Sequence, residues 1–130
     1  MLYGVGVDLV SVARFRALLA RRGTAFAQRV LHASEWKAHQ AARDPARDLA
    51  KRWAAKEAYA KALRTGFSGI YACDIALHRD PDSGAPIVTL SERGHAVAAR
   101  CGAGQAHVSV SDEGDQIIAM VALERRLAPS

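Results

Sequence analysis

Two stretches of alternating hydrophobic and polar positions frame this chain, and helical periodicities fill the space between them. Residues 2–10 place Tyr3, Val5, Val7 and Leu9 on one side and Leu2, Gly4, Gly6, Asp8 and Val10 on the other, the period of a strand. Residues 105–111 alternate again, with Ala106, Val108 and Val110 against His107, Ser109 and Ser111. Asp112-Glu113-Gly114-Asp115 reads as a turn, and the apolar run Ile117–Leu123 as the returning strand. Between these, Ser11 is placed to cap a helix over 12–22 whose apolar stripe is Val12, Phe15, Leu18 and Leu19, with Gly23 ending it. Thr24 opens a short helical segment through Phe26, Val30 and Leu31, and Ser34 caps another from Glu35 to about Arg43. The longest helix follows: Asp44 as N-cap, Pro45 at the first helical position, an alanine-rich body, and Gly66 as a left-handed stop. Phe67-Ser68-Gly69 is a loop. A half-exposed strand over 73–79, the turn residues Asp80–Gly84 and a strand over Ile87–Leu90 predict a hairpin. Ser91 caps a helix to Cys101, closed by Gly102. This order predicts an α+β fold, a small and mostly antiparallel sheet packed against a long central helix and shorter helices.

Length and composition narrow the class. A chain of 130 residues without repeats or linkers suits one domain, residues 1–130. Half the residues are hydrophobic (50%) and 24% are charged, the balance of a folded chain rather than a disordered one. No apolar run is long enough to span a bilayer, so no membrane partner is expected. The first residues, MLYGVGVDLV, have neither the basic start nor the small-residue cleavage site of a secretory leader. Cys73 and Cys101 match no metal spacing and read as structural thiols in a reducing cytoplasm. A net charge of +5 favours acidic partners: nucleic acid, phosphates or an acidic protein. The basic residues are dispersed, without aromatic interleaving, so a phosphorylated ligand with an acidic protein fits as well as nucleic acid.

Three features could carry chemistry. Asp8 lies on one strand face with Gly4 and Gly6, and glycine in a strand marks close approach of another group. Glu57 and Lys61 are four apart, on one face of the long helix among alanines. His107, Ser109 and Ser111 form a polar strand face running into Asp112. Two carboxylates from different elements suit Mg²⁺, which takes further ligands from water and phosphate. A lysine one turn beyond would neutralise phosphate oxygens, and Thr65-Gly66 would add a hydroxyl or N–H groups. Each feature also has a plain structural explanation. Glu57 and Lys61 match an ordinary surface ion pair worth a few tenths of a kcal/mol. Asp8 equally fits a capping or turn residue, and His107, Ser109 and Ser111 a solvated strand face.

Taken together, the motifs resemble the holo-acyl-carrier-protein synthase family, the small 4′-phosphopantetheinyl transferases. Gly4-Val5-Gly6-Val7-Asp8-Leu9 through Arg14 matches the family's N-terminal motif, and a Glu-bearing segment appears as Arg29-Val30-Leu31 with Ser34-Glu35-Trp36. Arg52-Trp53-Ala54-Ala55-Lys56-Glu57-Ala58-Tyr59-Ala60-Lys61-Ala62 with Thr65-Gly66 matches the central signature. Gly84-Ala85-Pro86 and His107-Val108-Ser109-Val110-Ser111-Asp112 match the closing motifs. The resemblance implies transfer of the 4′-phosphopantetheine arm of coenzyme A to a serine of apo-acyl carrier protein. It further implies Mg²⁺ dependence, release of adenosine 3′,5′-bisphosphate and a place in fatty acid biosynthesis. Asp8 and Glu57 would hold Mg²⁺. Glu57, or a water it orients, would take the serine proton, and Lys61 would steady the departing phosphate. Arg52, Lys61, Thr65, Gly66, Pro86, Ser109 and Asp112 would contact coenzyme A. Arg14, Arg21 and Arg22 would dock the acidic carrier protein. A homotrimer with active sites between subunits, in the cytoplasm, completes the expectation and leaves no role for nucleic acid. Three positions depart from the family pattern: Ser11 where many relatives have Glu, Arg64 where Gly is usual, and Asp112 where many have His.

Overall fold

The computed structural model describes residues 1–127. Strand β1 (Leu2–Ser11) pairs antiparallel with β5 (Gln116–Arg125), which pairs antiparallel with β4 (Ala103–Glu113), so the order across this sheet is β1-β5-β4. Strands β2 (Ile75–Arg79) and β3 (Pro86–Leu90) form the expected hairpin as a separate two-stranded sheet. Among the described residues five α-helices complete the α+β fold: α1 (Val12–Arg22), α2 (Thr24–Val30), α3 (Trp36–Gln40), α4 (Pro45–Ala62) and α5 (Glu92–Cys101). Among the described residues no helix is long and apolar enough to cross a membrane. Cys73 and Cys101 are free thiols.

Alternation alone does not say which face of β1 is inner. The structure turns Gly4, Gly6, Asp8 and Val10 inward onto α4 and leaves Val5, Val7 and Leu9 exposed. The reason is steric. A Cβ on Gly6 would lie 1.9 Å from the Ala58 carbonyl oxygen, and one on Gly4 would lie 2.1 Å from that of Ala62. Strand and helix backbones therefore touch, and the buried methyls of Ala54, Ala58 and Ala62 let them do so. The group that approaches the alanines is the protein's own β1. The remaining inner face, Ile117, Ala119, Val121 and Leu123 on β5, packs with Phe15, Leu49 and Leu63. Each large side chain buried there contributes roughly 1.5–3 kcal/mol.

Helix ends follow their predicted caps with two exceptions. Ser11, Asp44 and Ser91 accept hydrogen bonds from the backbone N–H groups of Arg14, Arg47 and Gly94. The predicted helix over 35–43 instead begins as a 3₁₀ turn, Ala33–Glu35, capped by the His32 ring and not by Ser34, and α3 ends at Gln40. Helix α4 stops at Ala62, short of Gly66. Arg64 takes the left-handed conformation first (φ 70°), at a position where glycine would be free of strain. Its guanidinium rests 5.0 Å from the centre of the Tyr3 ring.

Candidate functional site

Glu57 and Lys61 lie one turn apart on the face of α4 that meets β1, and the glycine contacts bring Asp8 down beside them. The Lys61 ammonium donates to the Val7 carbonyl (3.0 Å) and to Asp8 Oδ1 (3.2 Å). Asp8 Oδ2 is buried and has no hydrogen-bond partner. A buried carboxylate oxygen without a partner costs free energy unless something arrives to satisfy it. Burial and the nearby Asp8 charge push the Glu57 carboxyl above its usual range, against the opposing pull of Lys61 and Arg14. The Asp8 charge thus raises the cost of ionising Glu57 despite the cations Lys61 and Arg14 nearby. A hard divalent cation resolves both the orphaned oxygen and the repulsion, so the residues present fit Mg²⁺. Among the described residues no group of three or more His, Cys, Asp or Glu side chains gathers at one point. A cation held by Asp8 and Glu57 would therefore draw further ligands from water or a phosphate.

The face of α4 turned toward β2 is built differently. Lys56 is fully buried, as is its partner Glu35, with Nζ 2.5 Å from Glu35 Oε1. Burial pushes the Lys56 ammonium below its usual range, while Glu35 acts to restore it. Arg52 bonds Glu35 Oε2 (3.3 Å) and Asp48 Oδ2 (2.9 Å). Expected as a coenzyme A contact, Arg52 is 8% exposed with its guanidinium committed to these internal partners. Sequence reasoning gave Lys56 and Glu35 no role. A lysine among alanines one turn beyond Arg52 was the available signal, because two cations on one helix face demand an acid if that face is buried.

Arg52, Pro86 and Asp112 do line one cleft, of about 530 Å³, together with Arg47, Lys51, His78 and Arg79. Asp112 binds the Arg47 guanidinium and, at 3.0 Å, the Lys51 ammonium, two basic residues the sequence reading did not single out. Neither Asp8, Glu57 nor Lys61 lines this cleft, so within one chain the carboxylate pair and the basic cleft are separate. Ser109 pairs with Met120 on the outer face of the sheet, whereas Asp8 is on the inner face, so the polar face of β4 does not join the carboxylates of its own chain. The Gly66 N–H donates to the Ala60 carbonyl (3.2 Å) and the Thr65 hydroxyl to the Gly66 carbonyl (2.8 Å), so both serve the helix end. Arg14 is exposed in the first turn of α1 and close enough to act on Glu57, while Arg21 lies seven residues on, along the same face. Arg22 is exposed beside it in the last turn. At the departure from Glu, the Ser11 hydroxyl donates to Asp115 (2.6 Å), tying the β4–β5 turn to the start of α1.

Comparison with known proteins converges on one family. A family model for the 4′-phosphopantetheinyl transferase superfamily matches residues 4–121. The chain is 44% identical over 126 residues to holo-[acyl-carrier-protein] synthase of Thiobacillus denitrificans, covering 96% of this chain and 95% of that one. Its fold matches the crystal structure of holo-[acyl-carrier-protein] synthase from Neisseria meningitidis with a TM-score of 0.91 and 36% identity, over 96% of this chain and 100% of that one. The Helicobacter pylori enzyme, solved in complex with coenzyme A, matches with a TM-score of 0.80 and 29% identity over 92% and 99% of the two chains. With a match over most of its length and the same architecture in solved relatives, this chain belongs to the 4′-phosphopantetheinyl transferase superfamily.

Proposed function

We propose that the protein is a holo-[acyl-carrier-protein] synthase, active as a single domain over residues 1–130 in the cytoplasm and supplying carrier protein to fatty acid biosynthesis. It moves 4′-phosphopantetheine from coenzyme A to a serine of apo-acyl carrier protein and releases adenosine 3′,5′-bisphosphate. The observation that carries this is the meeting of Asp8, Glu57 and Lys61, with Asp8 Oδ2 buried and unpartnered, on the motifs the family shares. Asp8 and Glu57 hold Mg²⁺, which when bound adds Lewis-acid charge at the pyrophosphate of coenzyme A. Glu57 is placed to take the carrier serine's proton, directly or through a water it orients. Lys61, half-exposed, presents its ammonium to the departing phosphate. Arg14, Arg21 and Arg22 dock the acidic carrier beside this centre.

The reading extends to a homotrimer. Val5, Val7 and Leu9 on β1 and Ile118 and Met120 on β5 stay exposed on one sheet face, with Val7 opposite Met120 and Leu9 opposite Ile118. Association through this face would bring the cleft of Arg47, Lys51, Arg52, Pro86 and Asp112 on one subunit toward the carboxylates of the next. Coenzyme A would then span the boundary, reaching Ser109 and the Thr65-Gly66 loop as well. The decisive experiment incubates the protein with Mg²⁺, coenzyme A and apo-acyl carrier protein and measures the intact mass of the carrier. A gain of one phosphopantetheine is expected, and a carrier of unchanged mass would overturn the proposal.

A further inference from the structure

Among the described residues, strand β2 has β3 on one side and no strand on the other. In an antiparallel pair, a residue whose N–H and C=O point away from the partner leaves both groups to be satisfied elsewhere. At Leu77 side chains satisfy both groups, and at Ile75 a side chain satisfies the carbonyl while the N–H donates to the Ala72 carbonyl. Lys56 donates to the Ile75 carbonyl, Arg52 donates to the Leu77 carbonyl, and Glu35 accepts from the Leu77 N–H (3.0 Å). Glu35 also accepts from the His32 N–H (2.9 Å) while bonding Lys56 and Arg52. The edge of β2 is thereby stitched to α4 by side chains that replace a missing strand. Arg52 and Lys56 are one turn apart on α4, and Glu57 is the next residue, about 100° further round the helix.

We infer that Glu35 and Lys56 are positioning residues for the carboxylate pair, fixing the rotation of α4 so that Glu57 faces Asp8. The inference rests on the metal-holding role proposed for those two carboxylates. Helix α4 is gripped from two sides, by the backbone contacts at Gly4 and Gly6 and by this buried network against β2. A rotation of about 25° would move a Cα on a helix of radius ≈ 2.3 Å by about 1 Å. Displacement on that scale costs on the order of 100-fold in rate when it separates reacting groups. Neither Lys56 nor Glu35 lines the basic cleft, so neither is placed to touch a ligand there.

The test pairs Lys56→Met with Glu35→Gln in one protein. Removing both charges avoids leaving one buried alone and keeps the volume nearly constant. Mn²⁺ titration followed by electron paramagnetic resonance reads the carboxylate pair without catalysis, and steady-state kinetics separate kcat from KM. For the double variant, Mn²⁺ binding should weaken by about 10-fold or more, as when groups supporting metal ligands are removed. We expect kcat to fall on the order of 100-fold, with KM for coenzyme A unchanged within error. A folded double variant with native Mn²⁺ affinity and kcat would overturn the proposal, leaving the glycine contacts as sufficient to orient α4. A change confined to KM for coenzyme A would overturn it equally. If the double variant does not fold, Glu35→Asp decides, since it keeps the charge and withdraws the carboxylate by one methylene. It should weaken Mn²⁺ binding in the same direction, and native binding would again refute positioning. Failure of the unmodified protein to bind Mn²⁺ would instead count against the metal site itself.

Discussion

Helix α4 carries two lysine–carboxylate arrangements on different faces, and they have opposite fates. Toward β2, Lys56 and Glu35 are fully buried and every one of their contacts is internal. Toward β1, Lys61 is half-exposed, Glu57 is raised by burial and by Asp8, and one Asp8 oxygen has no partner. The same residue types make a support in one place and an unfinished site in the other. A completed network has no capacity left for a ligand, whereas an incomplete one retains the free energy of satisfaction for whatever binds.

The largest effect should come from emptying the unfinished side. Asp8→Ala or Glu57→Ala is expected to lower turnover on the order of 1,000-fold or more, with circular dichroism unchanged. Near-native Mg²⁺-dependent rates in either variant would remove that residue from the site. Breaking the finished side alone should strike stability. Lys56→Met deprives buried Glu35 of one of its two cations and is expected to cost about 3–5 kcal/mol in urea unfolding. A change below about 1 kcal/mol would show that this pair does not carry the packing described.

Gly6→Ala attacks the junction between the two sides by driving a methyl into the Ala58 carbonyl. A loss of up to about 3 kcal/mol is expected, the upper end for overpacking. A tolerated substitution would mean that β1 can lift from α4. A smaller effect sharpens the electrostatic contrast. In the metal-free protein, carboxyl NMR should show Glu57 titrating above the ordinary glutamate value, because burial and Asp8 both disfavour its charge. Asp8→Asn removes one of those causes, so the Glu57 midpoint should move down; an upward move would refute the assignment. The smallest change is Arg14→Glu, expected to raise KM for carrier protein several-fold more than KM for coenzyme A, by reversing a charge at the docking face. Equal changes in both would argue against docking.

Much of the fold was legible because its signals are local. The alternation of β1, β4 and β5, the caps at Ser11, Asp44 and Ser91, and the turn at Asp80–Gly84 depend on near neighbours in sequence. The α4 stop was misplaced because Arg64 takes the left-handed conformation before Gly66, with its guanidinium against the distant Tyr3 ring. Cap choice failed at Ser34 for a related reason: the His32 ring fills the cap position while Glu35 turns back to the His32 N–H. The β1 glycines mark the close approach of another group, but no sequence pattern states that this group is the backbone of α4.

By itself, the sequence determined the elements, the motif order that places the chain in its family, and the placing of Glu57 and Lys61 on one helix face. These follow from period, capping chemistry and spacing along one chain. Only the tertiary structure decided which strand face is inner, that Asp8 comes to rest beside Glu57 with an oxygen unsatisfied, and that Arg52 and Lys56 turn away to bind Glu35 and the edge of β2. Those outcomes depend on burial and on partners tens of residues away. Desolvation and hydrogen-bond satisfaction are properties of the packed molecule and have no local signature.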